Sequence, residues 1–286
     1  MSHPPHLERK RAYTKIVEML KETMPYDQAM KESIGCWQLF DEIGEQEVRI
    51  LRHYGLLPDH HLIEVGCGSG RLAKPLSEYL TGKYSGFDIV DELVDYAKQQ
   101  VQRPDWRFES VDYISIPEPD HCADMVCFFS VFTHLLAEES YWYLEEAARV
   151  LKPGGKIVFS FLEFYSHWDT FQGILAATKH YSERPITVFT NREDITVWAM
   201  NLKLKVEDIR FGRDVLPNSP FGQSVCVLST NPVAQLQAVE NNKVLQAYCD
   251  VALQEKDAII QAYESSTSWR ITKPLRALKR LFKKVR

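Results

Sequence analysis

From His60 onward, short apolar runs alternate with amphipathic stretches, and this alternation predicts most of the architecture. His60–Val65 reads as a strand and Arg71–Leu80 as a helix. The pair repeats as strand Tyr84–Asp88 and helix Asp91–Val101, followed by a short strand at Trp106–Ser110. Ala123–Phe129 is a continuous apolar run, the pattern of a strand buried on both faces. Glu138–Val150 follows as a helix, and Lys152-Pro-Gly-Gly as a turn into the strand Lys156–Phe161. Strands and helices alternating at this spacing predict a doubly wound α/β domain, a mostly parallel sheet with helices on both faces.

The flanks read differently. Residues 7–57 show helical periodicity: Ile16, Met19 and Leu20 share one face, and Trp37, Phe40, Ile43, Val48, Ile50, Leu51 and Tyr54 form a longer stripe. Gly55 and Pro58 end it. Residues 163–190 are aromatic and irregular. Glu193–Asn201 then reads as a helix, and Lys203–Ile209 and Gln223–Ser229 as strands. With no long helix between them, these two strands predict an antiparallel closure of the sheet. From Pro232 to Ser265, Leu236, Val239, Val244, Tyr248, Val251 and Ile259 recur at roughly helical spacing. The expected organisation is a helical cap at 1–57, the sheet domain at 58–231, a helix at 232–265 open to pairing with a second copy, and a basic tail at 266–286.

Charge adds one asymmetry. Eight basic residues and no acidic one lie between Arg270 and Arg286, so the remainder carries −13 against a total of −5. An acidic body lacks the clustered cations that phosphate contacts require, which excludes nucleic acid as the expected partner. Leu275, Leu278, Leu281, Phe282 and Val285 among those cations make a basic amphipathic pattern suited to an anionic membrane surface. The six cysteines form no CxxC pair, so neither a metal site nor a disulfide framework is expected. The chain has no basic-then-apolar leader and no apolar run of spanning length, which points to a cytoplasmic location.

The chemistry-bearing stretch is Glu64-Val-Gly66-Cys67-Gly68-Ser-Gly70, between the first strand and the first helix of the sheet domain. Glycines let the chain turn sharply and let a ligand approach closely, at the strand ends where open α/β sheets bind ligands. The dinucleotide pattern GxGxxG places its third glycine one residue later and holds a pyrophosphate. Here Glu64 would repel a pyrophosphate and favour a cationic group. Asp88, ending the second strand, can accept the ribose hydroxyls of a nucleoside.

With these residues in place, the stretch from about His61 to Phe161 resembles the class I S-adenosylmethionine (SAM)-dependent methyltransferases. The matching pieces are Glu64–Gly70 as the glycine loop, Asp88 as the ribose acid and Asp112 as the acid beside the adenine. Asp124–Ser130 matches the fourth strand and Leu151–Lys156 the turn before the fifth. The resemblance implies a seven-stranded sheet with one antiparallel strand. It also implies a SAM site formed by Glu64, Gly66, Cys67, Gly68, Gly70, Asp88, Ile89, Asp112, Tyr113 and Ser130.

A hydroxyl acceptor benefits from a general base. The candidates are His134, after the fourth strand, and His167 and Glu163, after the fifth. Tyr13, Tyr26 and Trp37 are candidates for lid contacts from the cap, with buried helix packing the more common role for such residues. The segment Glu264–Arg276 resembles the ends of bacterial glycosyltransferases and methyltransferases of surface-polysaccharide assembly. That likeness points to a sugar hydroxyl of an O-antigen-type glycan as acceptor, with glycosyltransferases as partners. The alternatives are a small-molecule or lipid methyltransferase, and a non-catalytic adaptor that recruits glycan enzymes to the membrane.

Overall fold

The computed structural model describes residues 5–35, 37–178, 186–216 and 221–230. The helix expected at 232–265, its pairing with a second copy, and the basic tail lie outside these residues.

Three cap helices, α1 (Pro5–Thr23), α2 (Tyr26–Glu32) and α3 (Phe40–His53), precede the sheet. The alternating region then runs β1 (Leu62–Val65), α4 (Ala73–Leu76), β2 (Tyr84–Asp88), α5 (Asp91–Val101), β3 (Arg107–Ser110), β4 (Ala123–Phe128), α6 (Ala137–Val150) and β5 (Leu151–Phe161). It closes with α7 (Trp168–Thr178), α8 (Arg192–Asn201), β6 (Lys205–Phe211), the single turn α9 (Gly212–Val215) and β7 (Ser224–Ser229). The strands form a seven-stranded sheet in the order β3-β2-β1-β4-β5-β7-β6. Strands β1 to β5 pair in parallel, and β7 runs antiparallel to both neighbours. The expected closure by the last two strands is present, with β7 inserted between β5 and β6. This is the class I methyltransferase fold.

The central strands are apolar on both faces because both faces are covered. Ile63, Val126, Phe128, Ile157, Phe159 and Leu228 pack with Leu144, Ala147 and Val150 of α6 and Ile195 and Ala199 of α8. The alternate residues Leu62, Met125, Cys127, Val158 and Val227 pack with Val48, Ile50 and Leu51 of α3 and with Ala73 and Leu76 of α4. A third cluster joins Val17 of α1 and Met30 of α2 to Leu93 and Tyr96 of α5. Strand order reverses between β1 and β4, and that switch point is where an open sheet leaves a crevice.

Three expectations change. The helix over 71–80 shrinks to α4 with flanking turns: Pro75 supplies no N–H, so the hydrogen-bond ladder breaks inside it. The turn at 152–155 is absorbed into β5, whose pairing with β4 shifts register between Ala123 and Met125. The stretch 163–190 contains a regular helix, α7. Its Phe171, Ile174 and Leu175 keep helical spacing, which the neighbouring aromatics and Gly173 obscured.

The cap is tied to the sheet by a buried ion pair. Arg71, after the glycine loop, donates to Glu47 of α3 at 2.6 and 3.2 Å. Burial raises the Glu47 carboxyl pKa and the guanidinium opposes that rise. Removing one member of a buried pair strands the other charge. E47A is expected to lower the unfolding free energy by about 3 kcal/mol in urea denaturation, and E47Q, which keeps an acceptor, by less. A change in E47A below about 1 kcal/mol would show that the pair contributes no more than a surface contact.

Candidate active site

The glycine loop departs from β1 through three residues with left-handed backbone: Gly66 (φ 78°), Gly68 (φ 50°) and Gly70 (φ 84°). Any Cβ at Gly66 would fall 2.3 Å from Val131 Cγ2, on the turn after β4. Gly70 packs against Ala97, letting α5 approach the loop. The amides of the loop are already committed. Gly66 N–H and Cys67 N–H both donate to the Phe87 carbonyl at 2.6 and 3.0 Å. Gly68 N–H donates to Asp88 Oδ2 at 2.9 Å. Pyrophosphate binding needs a row of unpaired N–H groups, and these three are taken.

What the loop offers instead is negative charge. Glu64 and Asp88 both line a cavity of about 370 Å³ at the switch point. Glu64 is 3% exposed. Burial pushes its carboxyl up to about 8, against the hydroxyl of Tyr84, which donates to it at 2.5 Å. Asp88 is also raised by burial, opposed by backbone N–H groups of Val90 and Gly68. A cation placed here would relieve both. The residues therefore fit a nucleoside that carries positive charge, which SAM is.

The structure gathers most of the expected residues around this cavity. Glu64, Gly66, Cys67, Gly68, Asp88, Ile89, Tyr113, Ser130 and His134 line it. Gly70 does not, because its place is against α5. Asp112 is exposed between the lining residues Val111 and Tyr113 and is not itself part of the wall. Of the cap aromatics, Tyr13 lines the cavity, whereas Tyr26 and Trp37 face outward at 46% and 41% exposure.

His167 and Glu163 are not brought into the cavity. His167 is buried, with Nε2 bonded to the Gly222 carbonyl at 3.0 Å and Nδ1 accepting the Glu163 N–H at 3.1 Å. Both ring nitrogens are used. Glu163 is held by Arg192 through two bonds of 2.7 Å and by the Ser224 hydroxyl. Burial alone would raise its pKa, but these partners outweigh it and hold the carboxyl below its ordinary range. Together they clamp the start of β7 at Gly222 and Ser224.

His134 is placed differently. It ends a single 3₁₀ turn after β4, its ring stands edge-on to Tyr13 at 5.8 Å, and its Nδ1 lies 2.8 Å from the Ile186 carbonyl. A carbonyl only accepts, so Nδ1 carries the proton and Nε2 keeps its lone pair. Among the described residues nothing bonds to Nε2. Burial lowers the pKa of His134, opposed by the Ile186 contact.

Sequence reasoning missed Arg9, Tyr143 and Gln223. Arg9 reaches from α1 to Glu139 at the start of α6 at 2.6 Å, and it lines the cavity with Tyr143. The periodicity of Arg9 and Tyr143 marks them as helix positions, with no signal for which way they face, and Gln223 reads only as the start of a strand.

Residues 63–159 match the family described as "Methyltransferase domain". A sterol 24-C-methyltransferase of Gibberella zeae is 27% identical over 117 residues, 40% of this chain and 30% of that protein. A ubiquinone biosynthesis O-methyltransferase of Coxiella burnetii is 24% identical over 164 residues, 54% of this chain and 67% of that protein. The chain thus spans less than a third of the first relative's length. Among solved structures, a geranyl diphosphate C-methyltransferase from Streptomyces coelicolor A3(2) superposes with a TM-score of 0.54. It is 13% identical, over 80% of this chain and 99% of that one, so what is shared is the fold. The sheet has the class I methyltransferase fold, and the segment from β1 into β5 matches a methyltransferase domain.

Glu64 gives this site a pH dependence. Below about 8 the free carboxyl holds a proton, whereas a bound cation requires the carboxylate. Calorimetry should show SAM affinity rising as pH climbs through about 8 and levelling above it. E64Q should abolish the slope and weaken binding at high pH by about tenfold. A slope that survives in E64Q would assign it to another group.

Proposed function

We propose that the chain is a SAM-dependent O-methyltransferase in which His134 takes the proton from an acceptor hydroxyl. One observation carries this reading: His134, whose Nε2 has no partner among the described residues, lines the same cavity as Glu64 and Asp88. When bound, SAM supplies an activated methyl group. Glu64 and Asp88 would hold its charged and ribose parts. The Ile186 carbonyl fixes the imidazole tautomer, and burial keeps the ring neutral near pH 7, ready to accept a proton. Closing the site with α1, through Tyr13 and Arg9, would exclude water from the reacting groups.

The acceptor we infer is a sugar hydroxyl of a bacterial surface glycan, modified where lipid-linked chains are assembled. Support comes from the segment Glu264–Arg276 and the cations after it. Each basic residue near an anionic bilayer contributes about 1 kcal/mol, so such a tail would hold the enzyme at the cytoplasmic face. Among the described residues no helix is long and apolar enough to cross a membrane. A small-molecule or lipid acceptor is the second reading, favoured by the relatives named for sterol and ubiquinone biosynthesis.

H134A should keep SAM affinity and lose about 10²- to 10⁴-fold in kcat. The wild-type rate should fall on acidification through a pKa below the ordinary histidine value, because the protonated ring cannot accept. A full rate in H134A would remove the base. Incubation with labelled SAM and polysaccharide from a strain lacking the gene should label the polysaccharide, and label in small metabolites alone would overturn the glycan acceptor. Liposome sedimentation should weaken on removal of residues 270–286, and unchanged binding would exclude the membrane role.

A further inference from the structure

Ser130, the last residue before the turn that carries His134, belongs to a closed ring of hydrogen bonds. Its N–H donates to Ser160 Oγ on β5 at 2.7 Å. Ser160 Oγ donates to Gln223 Oε1 at 2.7 Å, and Gln223 Nε2 donates to Ser130 Oγ at 2.9 Å. The polarity of this ring follows from burial. A backbone N–H only donates, so Ser160 accepts it, and the buried Ser160 hydroxyl in turn needs an acceptor for its own proton, which among the described residues is the Gln223 carbonyl oxygen. The amide orientation follows, and its NH₂ faces Ser130. The Ser130 hydroxyl therefore receives a proton from Gln223 and keeps its own to donate. Among the described residues no acceptor takes it, and Ser130 lines the cavity.

The ring is buttressed. Ser130 sits in left-handed backbone (φ 60°), a conformation uncommon outside glycine and one that its surroundings must hold. Its carbonyl accepts from Thr133 Oγ1 at 2.9 Å. Gln223 is fixed on both sides, by His167 on Gly222 and by Glu163 on Ser224. The five residues from Ser130 to His134 thus bring one donor and one acceptor to the lining of the same cavity.

We propose that the acceptor carries a second oxygen beside the one that reacts, the first losing its proton to His134 and the second accepting a hydrogen bond from the Ser130 hydroxyl. Gln223 is the positioning residue that points the Ser130 proton outward. The inference rests on the His134 base proposed above and narrows the acceptor to a diol, a functional group that sugar rings carry. A lone alcohol would leave the Ser130 donor without a partner in a partly desolvated site.

The test uses two probes of one size, trans-cyclohexane-1,2-diol and cyclohexanol. Each is titrated by ligand-observed NMR into the full chain saturated with S-adenosylhomocysteine. Wild type should prefer the diol by about tenfold. S130A should lose that preference. Q223E should also lose it, because the added carboxylate oxygen turns the Ser130 proton inward, and S130A/Q223E should lose no more than S130A alone. The melting temperature should stay near wild type in S130A, and both probes are compared at saturating S-adenosylhomocysteine for each variant, so S130A carries the test should Q223E fail to fold. Equal binding of the two probes by wild type, binding of neither, or a preference that survives S130A would each overturn the proposal. A protein that binds no S-adenosylhomocysteine yet prefers the diol would lose the methyl-transfer reading and keep this one.

Discussion

A carboxylate at the end of the central strand, withdrawn from water, is the constraint around which this site is built. Glu64 sits where burial alone would keep it protonated, and its neighbours are divided. The Tyr84 hydroxyl and the Arg71 guanidinium favour its charge, while Glu47 and Asp88 oppose it. Arg71 is itself bound to Glu47, which ties the balance at Glu64 to the packing of α3. Such a centre is poorly satisfied by protein groups alone and well satisfied by a cation. The glycines make room for the ligand, but the carboxylates and the committed amides of residues 66–68 set its sign.

The second half of the site is assembled from segments far apart in the chain. The turn after β4 is held from three directions: by Tyr13 of α1 against His134, by the Ile186 carbonyl on its imidazole, and by Gln223 on Ser130. None of these partners lies in the matched family segment. The glycine loop lies inside the matched segment, while the partners that hold the turn after β4 come from the cap and from the stretch after β5. His167 and Glu163 contribute from behind this half. Their side chains lock the entry to β7, and the ring through Ser160 depends on where that strand begins.

Much of this was legible along the chain. The alternation of periods identifies the doubly wound sheet, because a strand covered on both faces must be apolar throughout and its flanking helices apolar on one side. Tyr84–Asp88 and Asp91–Val101 have the bounds their patterns predict. Glu64, the glycines and Asp88 are legible for a related reason: the strand-to-helix turn places them together whatever the rest of the chain does. Pro75 and the aromatics around α7 hid local structure, since a missing N–H and an unbroken apolar composition both blur the helical period.

The functional side chains of the acceptor half were not legible in the same way. His134, His167 and Glu163 are equivalent by position, each following a strand at the cofactor end of the sheet. Their roles separate only when partners from Ile186, Gly222, Arg192 and Ser224 arrive to occupy, or leave open, their polar atoms. Local pattern reports which face of an element is apolar. Hydrogen-bond polarity depends on which donors meet which acceptors across the fold, and that is why the glycine loop was legible in the chain alone, while the Ser130 donor and the His134 lone pair, without partners among the described residues, emerged only from the packed structure.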